Sequence, residues 1–260
     1  MYRTKEFAEK PLQQVMAEIE TAAKILPQTR RIFLADGDAL VRSCEDLLKI
    51  LESLYDAFPV LERVACYALP KNLLEKPVDA LMSLKQHGLK MIYYGIESGS
   101  DDTLKRITKG ANPEQMIRGL GKASDAGLAI SATVILGLGG RLHWQEHIDG
   151  TIAMINRLTL DYLSTLQLTL HPSLTDKFME RYGRRGGQFI PQDDAGILQE
   201  QMRLVQGIAT LKPVIFRSNH ASNALPLGGT LPGDREALLA TLRTARAGGV
   251  MLRPEWLRGL

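Results

Sequence analysis

The sequence predicts an α/β fold, a parallel sheet or barrel built from repeated strand–helix units. Three observations predict it. Apolar runs at Arg31–Ala35, Arg63–Ala68, Lys90–Gly95, Leu128–Leu136 and Tyr162–Thr169 start roughly thirty residues apart. Helical patterns fill the gaps, which is the rhythm of repeated βα units. The third run ends abruptly in Glu97-Ser98-Gly99-Ser100-Asp101. Parallel strands deliver polar groups in this way to the rim where α/β folds bind ligands.

Each element follows from local chemistry. Leu12, Val15, Met16, Ile19 and Ala23 share one face of an amphipathic helix that leads straight into the run at Arg31. Ser43 caps a helix with Leu47, Leu48, Leu51, Leu54 and Tyr55 inward and Asp46 at the reciprocal capping position. Asn112-Pro113 starts another, with Met116, Ile117, Leu120 and Ala123 inward and Gly127 as its stop. Trp144, Ile148, Ile152, Ile155 and Leu158 make the inward stripe of a further helix. Residues 1–182 read as one barrel body and 183–260 as a helical and strand extension that closes it.

The 260 residues, 45% apolar and 23% charged, suit a globular chain of one α/β domain or of two smaller ones. A formal charge of +3 does not argue for a nucleic-acid partner. No apolar run reaches membrane-spanning length, and the charged N-terminus is unlike a signal peptide. Cys44 and Cys66 stand too far apart to form a metal-binding pair, so the chain reads as cytoplasmic and reduced.

Candidate site residues cluster at strand ends. Asp36-Gly37-Asp38 places two carboxylates around a glycine that lets backbone approach a ligand, and carboxylates accept from an ammonium group. Glu97 and Ser98 end the third run, where a carboxylate can hold both hydroxyls of a ribose. A helix cap is the structural reading of Glu97, but Asp101 or Asp102 is expected to do that work. The run Ser131–Leu136 dissolves into Gly137-Leu138-Gly139-Gly140. Gln167, Thr169 and His171 end the fifth run and are expected to face substrate. Asn219, His220 and Asn223 follow the apolar run Val214-Ile215-Phe216; His220 is a candidate for proton transfer, with Asn219 beside it.

From Tyr2 to about Asp234 the chain resembles the radical S-adenosylmethionine (SAM) superfamily. The resemblance rests on Tyr93–Asp101 with Lys105–Gly110, on the order of Asp36-Gly37-Asp38, Glu97 and Gly137-Leu138-Gly139, and on Ser218–Asn223 with Leu231-Pro232-Gly233-Asp234. It points to a branch near oxygen-independent coproporphyrinogen oxidase-like and Elongator-like members. It implies a partial (β/α)6 barrel of the radical SAM type lacking its first strand. SAM would lie across the strand ends: its amino group at Asp36, Gly37 and Asp38, its ribose at Glu97 and Ser98, its adenine beside Ile135, Gly137 and Gly139. It also implies a [4Fe-4S] cluster that reduces SAM to a 5′-deoxyadenosyl radical, which takes hydrogen from a substrate the sequence does not identify. Flavodoxin or ferredoxin would supply the electron.

The family's three-cysteine loop has no counterpart here, and neither Cys44 nor Cys66 replaces it, so no metal ligand is expected in this chain. A start downstream of that loop would account for both the cysteines and the first strand. As written, the chain is expected to be inactive in radical chemistry. Three other readings remain open: a cluster-free SAM- or partner-binding protein, a Schiff-base lyase, and a zinc hydrolase. The lyase would want a lysine at a strand end, where Asp, Glu, Gly and Gln stand instead. The hydrolase would use His143-Trp144-Gln145-Glu146-His147, an inverted zinc-peptidase pattern with two histidines on one helical face.

Overall fold

The computed structural model describes residues 8–35 and 38–259. Seven strands form one sheet in sequence order: β1 (Arg31–Leu34), β2 (Arg63–Tyr67), β3 (Leu89–Glu97), β4 (Ala129–Leu136), β5 (Tyr162–Gln167), β6 (Val214–Arg217) and β7 (Gly228–Leu231). Neighbours from β1 to β6 are parallel, and β7 returns antiparallel to β6. The ends of the sheet do not pair with each other, so it is an open, TIM-like arc rather than a closed barrel. The five runs expected from sequence match β1 to β5 within a few residues.

Helices α1 (Leu12–Ile25), α2 (Cys44–Ala57), α3 (Pro70–Glu75), α4 (Val78–Gln86), α5 (Asp101–Arg106), α6 (Pro113–Asp125), α7 (Gly140–Ile155), α8 (Pro172–Gly183), α9 (Asp194–Gly207) and α10 (Arg235–Arg246) fill the connections. One sheet face lies under helices: Val64, Cys66, Ile92, Tyr94, Ile96, Ile130, Ala132 and Val134 are buried there with Leu51, Leu84 and Met116. Successive strand residues alternate between this face and an opposite face that helices leave uncovered. Burying one face under helices supplies most of the hydrophobic stabilisation.

The local signals act as expected. Ser43 Oγ accepts from the Asp46 amide at the start of α2. Asn112 and Gln115 form a reciprocal capping box at the start of α6, with Pro113 in the first turn. The cap of α5, however, is Ser100, whose Oγ accepts from the Thr103 amide, with Asp101 and Asp102 in the first turn. The expectation that an aspartate does this work is corrected, and Glu97 remains without a capping role.

Gly99 and Gly150 let the loop after β3 lie directly on α7. A Cβ at Gly99 would come within 2.2 Å of the Gly150 carbonyl oxygen, and one at Gly150 within 2.8 Å of the Gly99 oxygen. Both obstacles are backbone, so neither can swing aside. Gly99→Ala is expected to lower unfolding free energy by about 2–3 kcal/mol in urea titrations. Gly121→Ala, in open space on α6, is expected to raise it by about 0.5–1 kcal/mol. Equal responses at the two positions would show that backbone contact does not fix this joint.

Candidate functional site

The rim formed by the ends of β3 and β4 is the most constrained part of the sheet. Glu97, the last residue of β3, has φ 62°, and Thr108 has φ 57°; these are the two non-glycine residues with left-handed backbone among those described. Left-handed geometry costs an L-residue on the order of 1–3 kcal/mol, and such strain gathers at functional sites. Thr108 is the left-handed residue that ends α5: its amide donates to the Lys105 carbonyl and the Lys109 amide to the Leu104 carbonyl. The Glu97 carboxylate folds back over Gly95, where any Cβ would meet its Oε1, and Lys109 Nζ, next to Thr108, donates to the same oxygen at 3.0 Å. Both side chains are largely shielded, at 21% and 15% exposure. Glu97 Oε2 keeps no bond among the described residues.

Behind Glu97 stands a buried relay. His147 Nε2 lies 3.0 Å from the Ile135 carbonyl and Nδ1 lies 2.8 Å from Ser98 Oγ; both side chains are fully enclosed. The carbonyl only accepts, so the ring must donate through Nε2–H, and Nδ1 must accept from the Ser98 hydroxyl. Ser98 Oγ in turn accepts from the Ser100 amide. Burial pulls the imidazole pKa down to about 4, against the opposing pull of the Ile135 bond. The ring is therefore a neutral tie between α7 and the ends of β3 and β4. Thr151 continues it, donating to the His147 carbonyl and accepting from the Gly99 amide at 2.8 Å.

The glycine turn after β4 is fixed from the other side. Gly137 adopts φ 82°, and its amide donates to Glu200 Oε2 at 2.6 Å. Gln192 donates to the other oxygen of that carboxylate. Glu200 is wholly buried on α9, and burial pushes its pKa up to about 7. Tyr182 donates its hydroxyl to the Gly139 carbonyl at 3.2 Å, and burial pushes its phenol up to about 12. Arg106 lies over the Tyr182 ring at 5.1 Å and donates to the Gly186 carbonyl, which ties the end of α8 to α5.

The predicted site residues fall into separate groups. Glu97, Ser98, Ile135, Gly137 and Gly139 come together at the β3–β4 rim, but the Ser98 hydroxyl and the Gly137 amide are already engaged within the protein. Asp36 and Gly37 lie outside the described residues. Asp38, just beyond β1, accepts from Asn72 Nδ2 through Oδ2 at 2.9 Å, while its Oδ1 is buried with no partner.

Gln167 and Asn223 turn out to be framework residues. Gln167 has the strand parity of Thr165, whose hydroxyl meets Gln201 of α9 on the helix-covered face. The Gln167 side chain bridges the Ala224 amide and Asp194, and Asn223 ties the Gln167 amide and the Thr165 carbonyl to Ser218. Asp194 is also held by Arg258 through two 2.7 Å bonds, which lower its carboxyl pKa. Thr169 is exposed near this network, lining a cleft of about 660 Å3 with Gln167, Asp194 and Arg258. His171 is exposed and caps α8, accepting from the Ser173 amide. His220 caps its own turn by accepting from the Ser222 amide, and Asn219 is exposed beside it.

The zinc reading is overturned. His147 points into the core with both ring nitrogens engaged, and His143 sits in a non-helical kink, φ −124° and ψ 18°, so the two imidazoles do not share a free helical face. No group of three or more His, Cys, Asp or Glu suited to a metal occurs among the described residues. Cys66 is buried, and burial with the Asp38 charge pushes its thiol up to about 12; Cys44 is the first residue of α2. Sequence reasoning missed His147 and Glu200 as positioning groups. An acid on the inward face of α9, between Ile197 and Leu204, is the signal that would have found Glu200.

Residues 2–153 match the Radical SAM superfamily, and the chain belongs to that superfamily. It is 23% identical over 168 residues to the heme chaperone HemW of Bacillus subtilis, covering 64% of this chain and 44% of the chaperone. Among solved structures it resembles coproporphyrinogen III oxidase (HemN) of Escherichia coli, with TM-score 0.58, 16% identity, and coverage of 75% of this chain and 46% of that one. It also resembles the Elp3 of Methanocaldococcus infernus, with TM-score 0.55, 15% identity, and coverage of 93% and 60%. The chain spans between 19% and 44% of the length of the curated relatives it matches.

The two buried titrating groups act oppositely on stability. His147, lowered from 6.5 to about 4, contributes stability that is present above pH 6.5 and lost as pH falls toward 4. Glu200, raised from 4.5 to about 7, contributes stability that is present below pH 4.5 and lost as pH rises through 7. The stability advantage of the wild type over Glu200→Gln is therefore expected to grow by about 3 kcal/mol from pH 7 to 4.5. Its advantage over His147→Gln is expected to shrink by about the same amount from pH 6.5 to 4. Urea unfolding across this range checks both signs.

Proposed function

We propose that this chain binds S-adenosylmethionine across the strand ends, with its amino group at Asp38 and its ribose at Glu97. The observation that carries this is the strained Glu97: a carboxylate held by Lys109 at the rim, with one oxygen still open and no capping role. SAM presents donors, an ammonium and two ribose hydroxyls, and the unpaired oxygens of Glu97 and Asp38 are acceptors. Ile135 lies on the uncovered sheet face below the rim and gives adenine an apolar neighbour. Ser98, Gly137 and Gly139 serve indirectly, holding the rim in shape through His147, Glu200 and Tyr182. Asp36 and Gly37 complete the amino-group end in this proposal.

In the family, SAM reduced at a [4Fe-4S] cluster supplies the chemistry that removes hydrogen from a substrate. The two cysteines of this chain do not fit such a cluster: one thiol is buried and strongly disfavoured as thiolate, and the other stands at a helix start remote in sequence. An electron donor such as flavodoxin or ferredoxin would serve a cluster-bearing form. The proposed division of labour leaves residues 1–182 as the cradle and 183–260 as the part that closes it, with Glu200 reaching back to Gly137. Asn219 and His220 stand exposed beyond β6, where His220 would contact a substrate that reaches past the rim; Gln167, Thr169, His171 and Asn223 would frame that side.

Equilibrium dialysis with labelled SAM tests the assignment. Glu97→Gln removes charge-assisted acceptance and is expected to weaken binding at least tenfold, about 1.4 kcal/mol or more. Asp38→Asn is expected to weaken it about fivefold or more, on the order of 1 kcal/mol. Unaltered binding in Glu97→Gln, with the fold intact by circular dichroism, would contradict the reading.

A further inference from the structure

The uncovered face of the sheet has a chemical character of its own. Phe33, Tyr67 and Tyr93, on β1, β2 and β3, pack edge to face with centroids 4.7 to 6.4 Å apart, yet Phe33 and Tyr67 stay 37% and 50% exposed. Large aromatics left this open on a sheet face form an apolar patch of the kind that marks a binding surface. Two strands further on, Tyr162 lies in register with Tyr93 through Ser131. The floor between them is small and polar: Ser131 and Thr133 on β4 and Ser164 on β5 share this face with Gly95. At about 4.8 Å per strand, the backbones that carry the two tyrosines stand about 10 Å apart along the sheet, with Ser131 between them.

Charge completes the picture. Arg217 on β6 pairs with Ser164 in the sheet register, and its guanidinium lies 5.8 Å from the centre of the Tyr162 ring. It is exposed and makes no ion pair among the described residues. At the opposite end of the face Arg31 and Arg63 stand side by side in register, likewise without ion pairs among the described residues. Glu97, the acid at the end of β3, is matched by Lys109. The uncovered face is therefore cationic, with an arginine stacked on an aromatic ring and its donor edges open. An arginine so placed recognises a planar oxyanion through paired donors.

We propose that this face is the substrate trough and that it takes a planar, conjugated organic anion, with the ring over Ser131 and Thr133 between Tyr93 and Tyr162 and the oxyanion on Arg217. Its identification as the substrate's place rests on the SAM cradle proposed at its rim; the binding chemistry rests on the trough alone. The aromatic walls contact the ring faces and edges, and Arg217 fixes its orientation. The small floor residues keep the ring close to the sheet, so its outer edge lies toward the rim that carries Glu97.

Three probes of similar size separate the two parts of this recognition: 2-naphthoate, 2-naphthylmethanol and cyclohexanecarboxylate, titrated calorimetrically into the whole chain. The expected result is that 2-naphthoate binds at least tenfold more tightly than either of the others. Arg217→Gln is expected to erase the preference over the alcohol, Arg217→Lys to restore part of it, and Tyr93→Leu to erase the preference over the cyclohexane acid. Equal affinities for the three probes, no binding of 2-naphthoate, or an Arg217→Gln variant that keeps the preference would overturn the proposal. SAM dialysis on the unaltered chain separates the two claims. Absent SAM binding with the naphthoate preference intact would contradict the cradle and leave the trough's chemistry standing, and the converse would contradict the trough alone.

Discussion

A neutral imidazole sealed inside the protein joins the ends of two neighbouring strands to the helix behind them, and the rim takes its shape from that tie. His147 spends its N–H on the Ile135 carbonyl and its lone pair on the Ser98 hydroxyl, so β3, β4 and α7 meet at one ring. Removing it would leave a buried hydroxyl and a buried carbonyl unpaired, at about 1–3 kcal/mol each. Charging it would put a cation where nothing compensates. The Gly99–Gly150 contact brings the same loop and helix together through bare backbone, with Thr151 bridging them. Hydrogen bonding and close packing thus fix the loop that follows Glu97.

That rigidity is what allows strain to persist one residue away. An L-residue with positive φ at a strand end relaxes unless its surroundings over-determine it. Here Ser98 is pinned on one side, and the Lys109 bridge holds the carboxylate on the other. The lysine is itself fixed at the end of α5, where its amide donates to the Leu104 carbonyl. The product is an acceptor presented above the open sheet face at the strand ends, where parallel folds gather their ligands. Glu200 gives the adjacent glycine turn a comparable anchor from α9, so the last third of the chain shapes the rim without lining it.

Much of the fold was legible in the sequence because the signals were local. Ser43, Asn112-Pro113 and Gly127 punctuate helices by their own backbone chemistry, and the apolar runs of β1 to β5 recur at an interval that only βα units explain. The strand end at Glu97 was legible for the same reason. What the sequence concealed was direction. A one-residue change of parity sends Gln167 to the helix-covered face while Ser164 and Leu166 keep the open one, and no spacing rule announces where a strand's last pleat falls. His147 looked like a metal ligand because its neighbours in sequence, His143 and Glu146, belong to a zinc pattern; a kink at His143 and a carbonyl on a distant strand decide otherwise. Asn223 looked substrate-facing and His220 catalytic as polar residues after a strand, yet one is bonded into the framework and the other caps its own turn. Contacts between residues dozens of positions apart set these roles.

The strained carboxylate at the end of β3 is proposed to hold the ribose of SAM. A crystal structure of the chain grown with SAM tests it most directly. The expected result is ribose hydroxyls on the Glu97 carboxylate, with Glu97 still in left-handed geometry and the Ser98–His147 bond intact. Ribose bound elsewhere, with Glu97 bonded only to Lys109, would contradict it.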